Sequence, residues 1–199
     1  MRLRQGLVPL GGIALTVSAA LLLLADRQVT RDVYTVSNDL CIVAPATPYD
    51  PASGLPMVAP RPVPAGARCP VCGMYPARFP RWAAQTIFKD GSAHYFDSPV
   101  DLFNFLHRVN HYDRRYTRDD VAASYASDFE TAQWIEAGKA FYVQGSAAAG
   151  PMRNADLPAF ASRDAANRFR QRHGGTVRTS AELTPQLLQS LHGDTSHRH

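Results

Sequence analysis

The chain begins with a long uncharged segment that constrains everything after it. Residues 5–25 carry no charged side chain and include four consecutive leucines, with Arg2 and Arg4 in front of them and Asp26 behind. A helix of this length, at about 1.5 Å per residue, crosses the roughly 30 Å hydrocarbon core of a bilayer. Because the basic residues come first, we expect the N-terminus inside and the remainder outside. Residues 1–27 are therefore predicted to be a signal or a membrane anchor, with a retained anchor favoured over a cleaved signal.

A proline-rich segment follows. Seven of the 15 prolines lie between Pro45 and Pro64. Proline fixes φ and has no N–H to donate, so this composition favours an extended spacer and disfavours a helix or a central strand. Residues 28–67 are predicted to be a tether outside the membrane, and the folded region is predicted to begin near Arg68.

The charge balance excludes a nucleic-acid-binding class. The chain has 21 Lys and Arg against 17 Asp and Glu, and from Asp26 onward the net charge is only 19 − 17 = +2. Proteins that bind nucleic acid neutralise many phosphates and carry a much larger basic excess. The 45% hydrophobic content nevertheless allows a real core.

The first folded segment has the pattern of a hairpin followed by a helix. Residues 83–89 and 93–96 are predicted strands, and Asp90-Gly91 between them is a typical hairpin turn. Ser98-Pro99 supplies an N-cap and a first-turn proline for a helix with apolar residues at helical spacing.

A weaker version of the same pattern recurs downstream. Strands are predicted at 140–144 and 157–160, a helix from Ser162 to Arg172, and a short strand at 176–178. The spacing of Phe96, Ser98 and Phe105 matches that of Phe160, Ser162 and Phe169. We therefore expect an α+β domain over 68–180, made of two small homologous strand-strand-helix(-strand) units at about 68–115 and 138–180. Residues 181–199 are predicted to be a short helix and a flexible tail that contains histidines.

The chemistry is predicted to lie in a C-x-x-C motif, Cys69-Pro70-Val71-Cys72. A periplasmic thiol-disulfide oxidoreductase would use such a pair at the start of a helix, whereas Gly73 and two prolines follow here. A zinc-binding module would need further ligands, and Cys41 is the only other cysteine. A Cu(I) site is the third alternative and the one we favour, because Cu(I) prefers thiolate and thioether ligands.

Two methionines fit the copper alternative. Met74 lies two residues beyond Cys72, and Met152 occupies a similar Gly-Pro-Met setting before the second unit. If the two units pack together, Met152 can approach the site from the other unit. Cys69 is expected to join the site, to pair with Cys72 as a disulfide, or to bond Cys41. His94 is a further candidate ligand, and Asp97 is expected to cap the next helix or to orient a ligand.

Several short motifs together resemble the NosL family of copper-binding accessory proteins. The resemblance runs from about Arg68 to Gly175 and rests on Cys72-Gly73-Met74, Tyr95-Phe96-Asp97-Ser98, Asp101-Leu102-Phe103, Lys139-Ala140-Phe141-Tyr142-Val143, Gly150-Pro151-Met152, Phe160-Ala161-Ser162 and His173-Gly174-Gly175. It implies a periplasmic Cu(I) metallochaperone, not an enzyme, with metal ligands at Cys72, Met74 and Met152.

The resemblance also implies partners and a location. Such a protein delivers copper to the copper–sulfide centre of nitrous oxide reductase and docks with a membrane ABC-type maturation complex. Many members carry an acylated cysteine directly after the signal, and this chain has none there. We therefore expect tethering to the inner membrane through the N-terminal helix.

Overall fold

The computed structural model describes residues 44–193, which form two antiparallel sheets with helices packed on them. This confirms the predicted α+β class. The predicted anchor at 1–27, Cys41 and the tail from 194 onward lie outside the described residues. Among residues 44–193, no helix is long and apolar enough to cross a membrane.

The first sheet is ordered β2-β1-β3-β4, with all neighbours antiparallel. Its strands are β1 (Ala84–Phe88), β2 (Ala93–Phe96), β3 (Val121–Ser127) and β4 (Trp134–Glu136). The Asp90-Gly91 turn joins β1 to β2, and Gly91 has a φ of 81°. A side chain at position 91 would also meet Met57 Cγ at 2.6 Å, so glycine is required here for both backbone and space.

Helix α1 (Pro99–His107) follows β2 directly, and a short helix α2 (Val109–Tyr112) continues from it. The Ser98 hydroxyl accepts a hydrogen bond from Asp101 N–H at 3.2 Å, and Pro99 occupies the first turn, as the sequence predicts. The buried face of α1 includes Phe105, whose ring centroid lies 5.2 Å from that of Phe96 on β2.

The second unit repeats this arrangement. Its elements are β5 (Phe141–Gln144), β6 (Ala159–Phe160), α3 (Arg163–His173) and β7 (Thr176–Thr179), with sheet order β6-β5-β7. The Ser162 hydroxyl caps α3, and the rings of Phe160 and Phe169 are 5.0 Å apart. Each unit thus has its first strand in the middle, its second strand on one side, a capped helix, and its third strand on the other side.

The first unit is longer than predicted. Its third strand, β3, and the short β4 lie at 121–136, in a stretch for which the sequence analysis assigned no element, so the boundary at 115 is wrong. The sequence of β3 is Val-Ala-Ala-Ser-Tyr-Ala-Ser, which has too few large apolar residues to show the alternation of a half-buried strand.

The described part of the predicted tether belongs to the folded unit, so the boundary near Arg68 is also wrong. Thr47 pairs with Ala93 at the outer edge of β2, and the buried side-chain amide of Gln85 bonds both the N–H and the C=O of Arg61. Val63 and Ala67 pack on the sheet face that carries Ile87 and Tyr95. An extended proline-rich chain is unable to form a central strand, but it covers a sheet face well.

The C-terminal helix also packs into the core. Helix α4 (Pro185–Gly193) lies against α1, with Leu188 and Leu191 buried, and the imidazole Nε2 of His107 lies 2.8 Å from the Leu183 carbonyl oxygen. The folded unit therefore extends beyond residue 180.

Asp128 links the two sheets. Its carboxylate accepts hydrogen bonds from the N–H groups of Glu130 and Thr131, from the Thr131 hydroxyl, and from the N–H of Ala161 just after β6. The backbone of Asp128 also bridges to Ala159 of β6. A single buried carboxylate thus satisfies donors from both units at the point where they meet.

Replacing Asp128 with alanine is expected to lower the free energy of unfolding by about 1–3 kcal/mol, because the N–H groups of Glu130, Thr131 and Ala161 lose their shared charged acceptor. Urea unfolding of the variant checks this value. The matched control is Asp119→Ala at an exposed carboxylate, which should change the free energy by less than about 0.5 kcal/mol. Equal stability of both variants would contradict the role given to Asp128.

Candidate metal centre

The C-x-x-C motif forms a tight loop closed by its own backbone. Cys69 N–H donates to the Met74 carbonyl oxygen, and Gly73 N–H donates to the Cys69 carbonyl oxygen, each at 2.9 Å. Gly73 adopts a φ of 77°, a conformation that favours glycine over any other residue. The loop turns both thiols toward the body of the protein, where Cys69 is buried and Cys72 is half-buried.

Each thiol faces a buried carboxylate. Cys72 Sγ lies 2.9 Å from Asp97 Oδ1, and Cys69 Sγ lies 3.2 Å from Asp101 Oδ2. Asp97 ends the hairpin and Asp101 lies in the first turn of α1, so the Ser98 cap between them fixes both. One potential ligand atom from each of these four residues lies within 4.8 Å of the other three. Such a cluster can hold one metal ion.

The thiols are protonated in the metal-free protein. Burial raises the pKa of Cys69 above its ordinary value, and the nearby negative charge of Asp101 raises it further. Contact with the Cys69 sulfur and burial raise the pKa of Cys72. Each protonated thiol therefore donates a hydrogen bond to its carboxylate, Cys69 to Asp101 and Cys72 to Asp97.

Met152 approaches the cluster from the second unit. It lies in a small hairpin in which Ala149 pairs with Ala155 and Gly150 N–H donates to the Asn154 carbonyl oxygen at 2.9 Å. A cleft of about 30 Å³ is lined by residues of both units: Asp97, Ser98, Val100, Asp101, Pro151, Met152, Asn154, Ala155 and Asp156. Met152 is 54% exposed and so borders both the cleft and solvent. The predicted approach of the two units is therefore observed.

Asp156 holds the base of this hairpin against α1. Its Oδ1 accepts from Leu157 N–H at 2.7 Å, and its carboxyl also interacts with the Ser98 hydroxyl and the Val100 N–H at the start of α1. Burial raises the pKa of Asp156 to about 7. Gly150 packs so closely that an added Cβ would lie 2.2 Å from Asp156 Oδ2. The glycine therefore allows the hairpin to close over the carboxyl.

Two further predicted ligands are Met74 and His94. Met74 lies on the cysteine loop, half-buried, with its carbonyl oxygen bonded to Cys69. His94 was a candidate ligand, and this prediction is wrong: its Nε2 lies 3.0 Å from Asp113 Oδ2, and its ring packs edge-on against Phe88 and Phe105. Burial lowers the pKa of His94, so the ring is a neutral core group.

Sequence reasoning missed two acidic residues of the site, Asp101 and Asp156. Asp97 was expected to cap α1 or to orient a ligand; Ser98 is the cap, and Asp97 contacts Cys72. A signal for Asp101 was present, because Asp97 and Asp101 flank an N-cap, where the first helical turn directs both toward one side. No local pattern marks Asp156, which lies 55 residues after Asp101 in the sequence.

The loop lacks the features of a reactive redox motif. The next element after Cys72 is the three-residue 3-10 turn Pro76–Arg78, so the cysteines do not begin an α-helix. Oxidoreductase cysteines have a lowered thiol pKa, whereas both pKa values are raised here. The arrangement is better suited to releasing protons when a metal binds.

Comparison with known proteins assigns the chain to a family. A family model described as NosL matches residues 60–188, well over half of the 199 residues. The chain belongs to the NosL family. This confirms the resemblance noted in the sequence, and the match begins inside the proline-rich segment that covers the first sheet.

Two solved NosL structures are similar to the chain. The crystal structure of the copper chaperone NosL from Shewanella denitrificans has a TM-score of 0.54 and 22% identity, covering 66% of this chain and 99% of that one. The solution NMR structure of the apo-NosL protein from Achromobacter cycloclastes has a TM-score of 0.39 and 27% identity, covering 53% and 87%. The first of these supports the NosL fold. No curated protein sequence matches the chain.

Replacing Asp101 with asparagine is expected to lower the thiol pKa values, because its negative charge opposes thiolate formation at both cysteines. The metal-free variant should therefore react faster with iodoacetamide at pH 8 than the unmodified protein. Mass spectrometry of the peptide that carries Cys69 and Cys72 measures the rate. Asp119→Asn, at an exposed carboxylate, is the control; an equal rate for the Asp101 variant would contradict this assignment.

Proposed function

We propose that this NosL-family chain binds one Cu(I) ion and transfers it to a copper site in another protein. The single observation that carries the proposal is a cleft lined by the Met152 hairpin of the second unit and by Asp97 and Asp101 of the first, the two carboxylates that contact the free thiols of Cys72 and Cys69. Sulfur donors of this kind select a soft monovalent ion. The proposed ligands are Cys72, Met74 and Met152, with Cys69 as the fourth sulfur of the site.

Transfer by ligand exchange fits the exposure of these residues. Cys69 is 1% exposed, whereas Cys72 is half-buried and Met152 is largely exposed. An acceptor can therefore replace the thioether of Met152 first and reach the thiolate of Cys72 next, while the inner thiolate still holds the ion. The protein changes no bond other than those to the metal, so its role is that of a carrier and not of an enzyme.

Family membership supports the proposed destination. We assign the acceptor to the copper–sulfide centre of nitrous oxide reductase, reached with a membrane ABC-type maturation complex. The uncharged segment at 5–25, with arginines in front, supports a periplasmic domain held at the inner membrane by its N-terminal helix. Copper transfer from the full chain to metal-free nitrous oxide reductase, followed by the visible spectrum of the reductase, tests this destination.

A zinc-binding module is the second candidate, favoured by one observation. Asp97 and Asp101 place two carboxylate oxygens beside two sulfurs, and such a set suits Zn(II) as well. Cu(I) is favoured because the thioether of Met152, a soft donor that suits Cu(I), borders the cleft. Titration of the full chain with Cu(I) in the presence of equimolar Zn(II) separates the two: retention of zinc would overturn the copper assignment.

Substitution of the sulfur donors should weaken Cu(I) binding in a defined order. Cys72→Ser is expected to lower the affinity by about 100-fold or more, because a thiolate is replaced by a hydroxyl that Cu(I) binds poorly. Met152→Leu should lower it by about tenfold, because the thioether is the more exposed donor. Competition with a coloured Cu(I) chelator measures both changes.

The matched control for Met152→Leu is Met57→Leu. Met57 is the other well-exposed methionine among the described residues, at 42%, and it packs near Gly91, on the hairpin turn and not on the cysteine loop. This change should leave the affinity unaltered. Stoichiometric, tight binding that survives Cys72→Ser would refute the proposed site.

The affinity should rise with pH. Both thiols have raised pKa values and are protonated at neutral pH, so Cu(I) must displace each proton that it replaces. For each thiolate that binds the ion, the apparent Cu(I) affinity should rise about tenfold per pH unit. Chelator competition between pH 6 and pH 8, with the chelator's own titration subtracted, gives the number of protons released. A flat profile would contradict thiolate ligation.

A further inference from the structure

Two arginines are held in place beside the cysteine loop. The guanidinium of Arg68 lies over the Tyr75 ring with its Cζ 4.4 Å from the ring centroid, and it donates to the Tyr75 hydroxyl and to the Gly73 carbonyl oxygen. The guanidinium of Arg78 lies over the same ring at 4.8 Å. Stacking on an aromatic face orients a guanidinium while its outer N–H groups stay available.

A third arginine adjoins Met152, which lines the cleft. Arg153 follows Met152 in the small hairpin and is exposed, with a φ of 61° that is uncommon for a residue other than glycine. The Arg153 N–H bonds the Gly150 carbonyl oxygen at 2.8 Å, so the hairpin fixes its backbone. We call Arg68, Arg78 and Arg153 the arginine rim.

The acidic and basic side chains of this region lie at different depths. The arginine rim is exposed, whereas Asp97, Asp101 and Asp156, which we call the acidic floor, are buried. Among residues 44–193, no carboxylate lies within ion-pair distance of a rim arginine, which is also true of the exposed Arg114, Arg118 and Arg170; what sets the rim arginines apart is their place on the cysteine loop and next to Met152. The nearest acids in the site, Asp97, Asp101 and Asp156, are all buried and bonded to thiol or N–H donors. The guanidinium groups of Arg68 and Arg78 are exposed at the cysteine loop, and Arg153 is exposed next to Met152, which lines the cleft with Asp97 and Asp101.

We propose that the arginine rim docks a partner protein whose copper-accepting site is surrounded by carboxylates. This inference rests on the proposed copper function. Guanidinium groups match carboxylates in shape and form paired hydrogen bonds with them, and oriented charge of this kind speeds and directs encounter more than it increases affinity. Docking centred on Met152 would bring the acceptor to the ligand that leaves first. An acidic protein is favoured over an anionic lipid surface because Arg153 adjoins the exposed sulfur donor Met152, which only a protein acceptor can use.

The test uses the full chain loaded with Cu(I) and two fluorescent peptides. One peptide contains a Met and a His among Asp and Glu residues, and the other has Asn and Gln in place of every acid. The protein should bind the acidic peptide more tightly, with an affinity that falls as NaCl rises from about 20 to 200 mM. The triple variant Arg68→Gln, Arg78→Gln, Arg153→Gln should bind the acidic peptide about tenfold more weakly and with a smaller salt slope.

The matched control removes the same charge elsewhere. Arg114, Arg118 and Arg170 are exposed and lie outside the cysteine loop and the Met152 hairpin, so their replacement with glutamine should leave peptide affinity within about twofold. Equal losses in the two triple variants would overturn the proposal, because net charge alone would then explain them. Binding of vesicles rich in anionic lipid through the rim, without binding of the acidic peptide, would overturn it as well.

Cu(I) affinity, measured separately by chelator competition, distinguishes the two proposals. Within the described part of the chain, the side chains of Arg78 and Arg153 make no hydrogen bond to the cysteine loop, so the double variant Arg78→Gln, Arg153→Gln should keep the Cu(I) affinity of the unmodified protein. If the unmodified chain does not bind Cu(I), the copper function is refuted, whichever peptide the chain binds more tightly. Unchanged copper binding with no preference for the acidic peptide would refute only the docking surface.

Discussion

The hydrogen bond from Asp101 N–H to the Ser98 hydroxyl is the interaction on which the site depends. It fixes the first turn of α1 at the end of the hairpin, and Asp97 and Asp101 therefore point toward the same side. Those two carboxylates hold the thiols of Cys72 and Cys69. Asp156 of the second unit contacts the same helix N-terminus, because its carboxyl interacts with Ser98 and Val100. One capped helix end thus organises the cysteine loop, the acidic floor and the Met152 hairpin.

Much of the secondary structure could be predicted from local chemistry. Strands β1 and β2, their Asp90-Gly91 turn and the Ser-capped helices α1 and α3 follow from turn, cap and periodicity signals that operate within a few residues. Strand β3 could not be recognised, since its small residues carry no periodic signal and its position is fixed by pairing with β1. The proline-rich segment was misassigned for a similar reason: its composition excludes a helix but is compatible with packing on a finished sheet.

The site was predictable to the extent that its residues are close in sequence. Cys69 and Cys72, which meet Asp97 and Asp101, form one motif, and the Gly-Pro-Met setting pointed to Met152, which lines the cleft. Metal ligation by Met74 and Met152 stays a prediction. The predicted role of His94 was wrong because a histidine on a strand gives no sign of whether it faces the site or Asp113. Asp156 could not be found from the sequence, since its importance arises only when the second unit folds back onto α1.

The pairing of Thr47 with Ala93 has a consequence for the behaviour of the protein at high concentration. The outer edge of β2 would otherwise present free N–H and C=O groups, and such edges recruit strands of other molecules. Thr47 occupies this edge with two hydrogen bonds of 2.8 Å, and Pro45 and Pro48 on either side have no N–H to extend the ladder. The segment therefore covers the edge of β2 at Ala93 and offers no further donors beside it, which disfavours edge-to-edge aggregation of the folded protein.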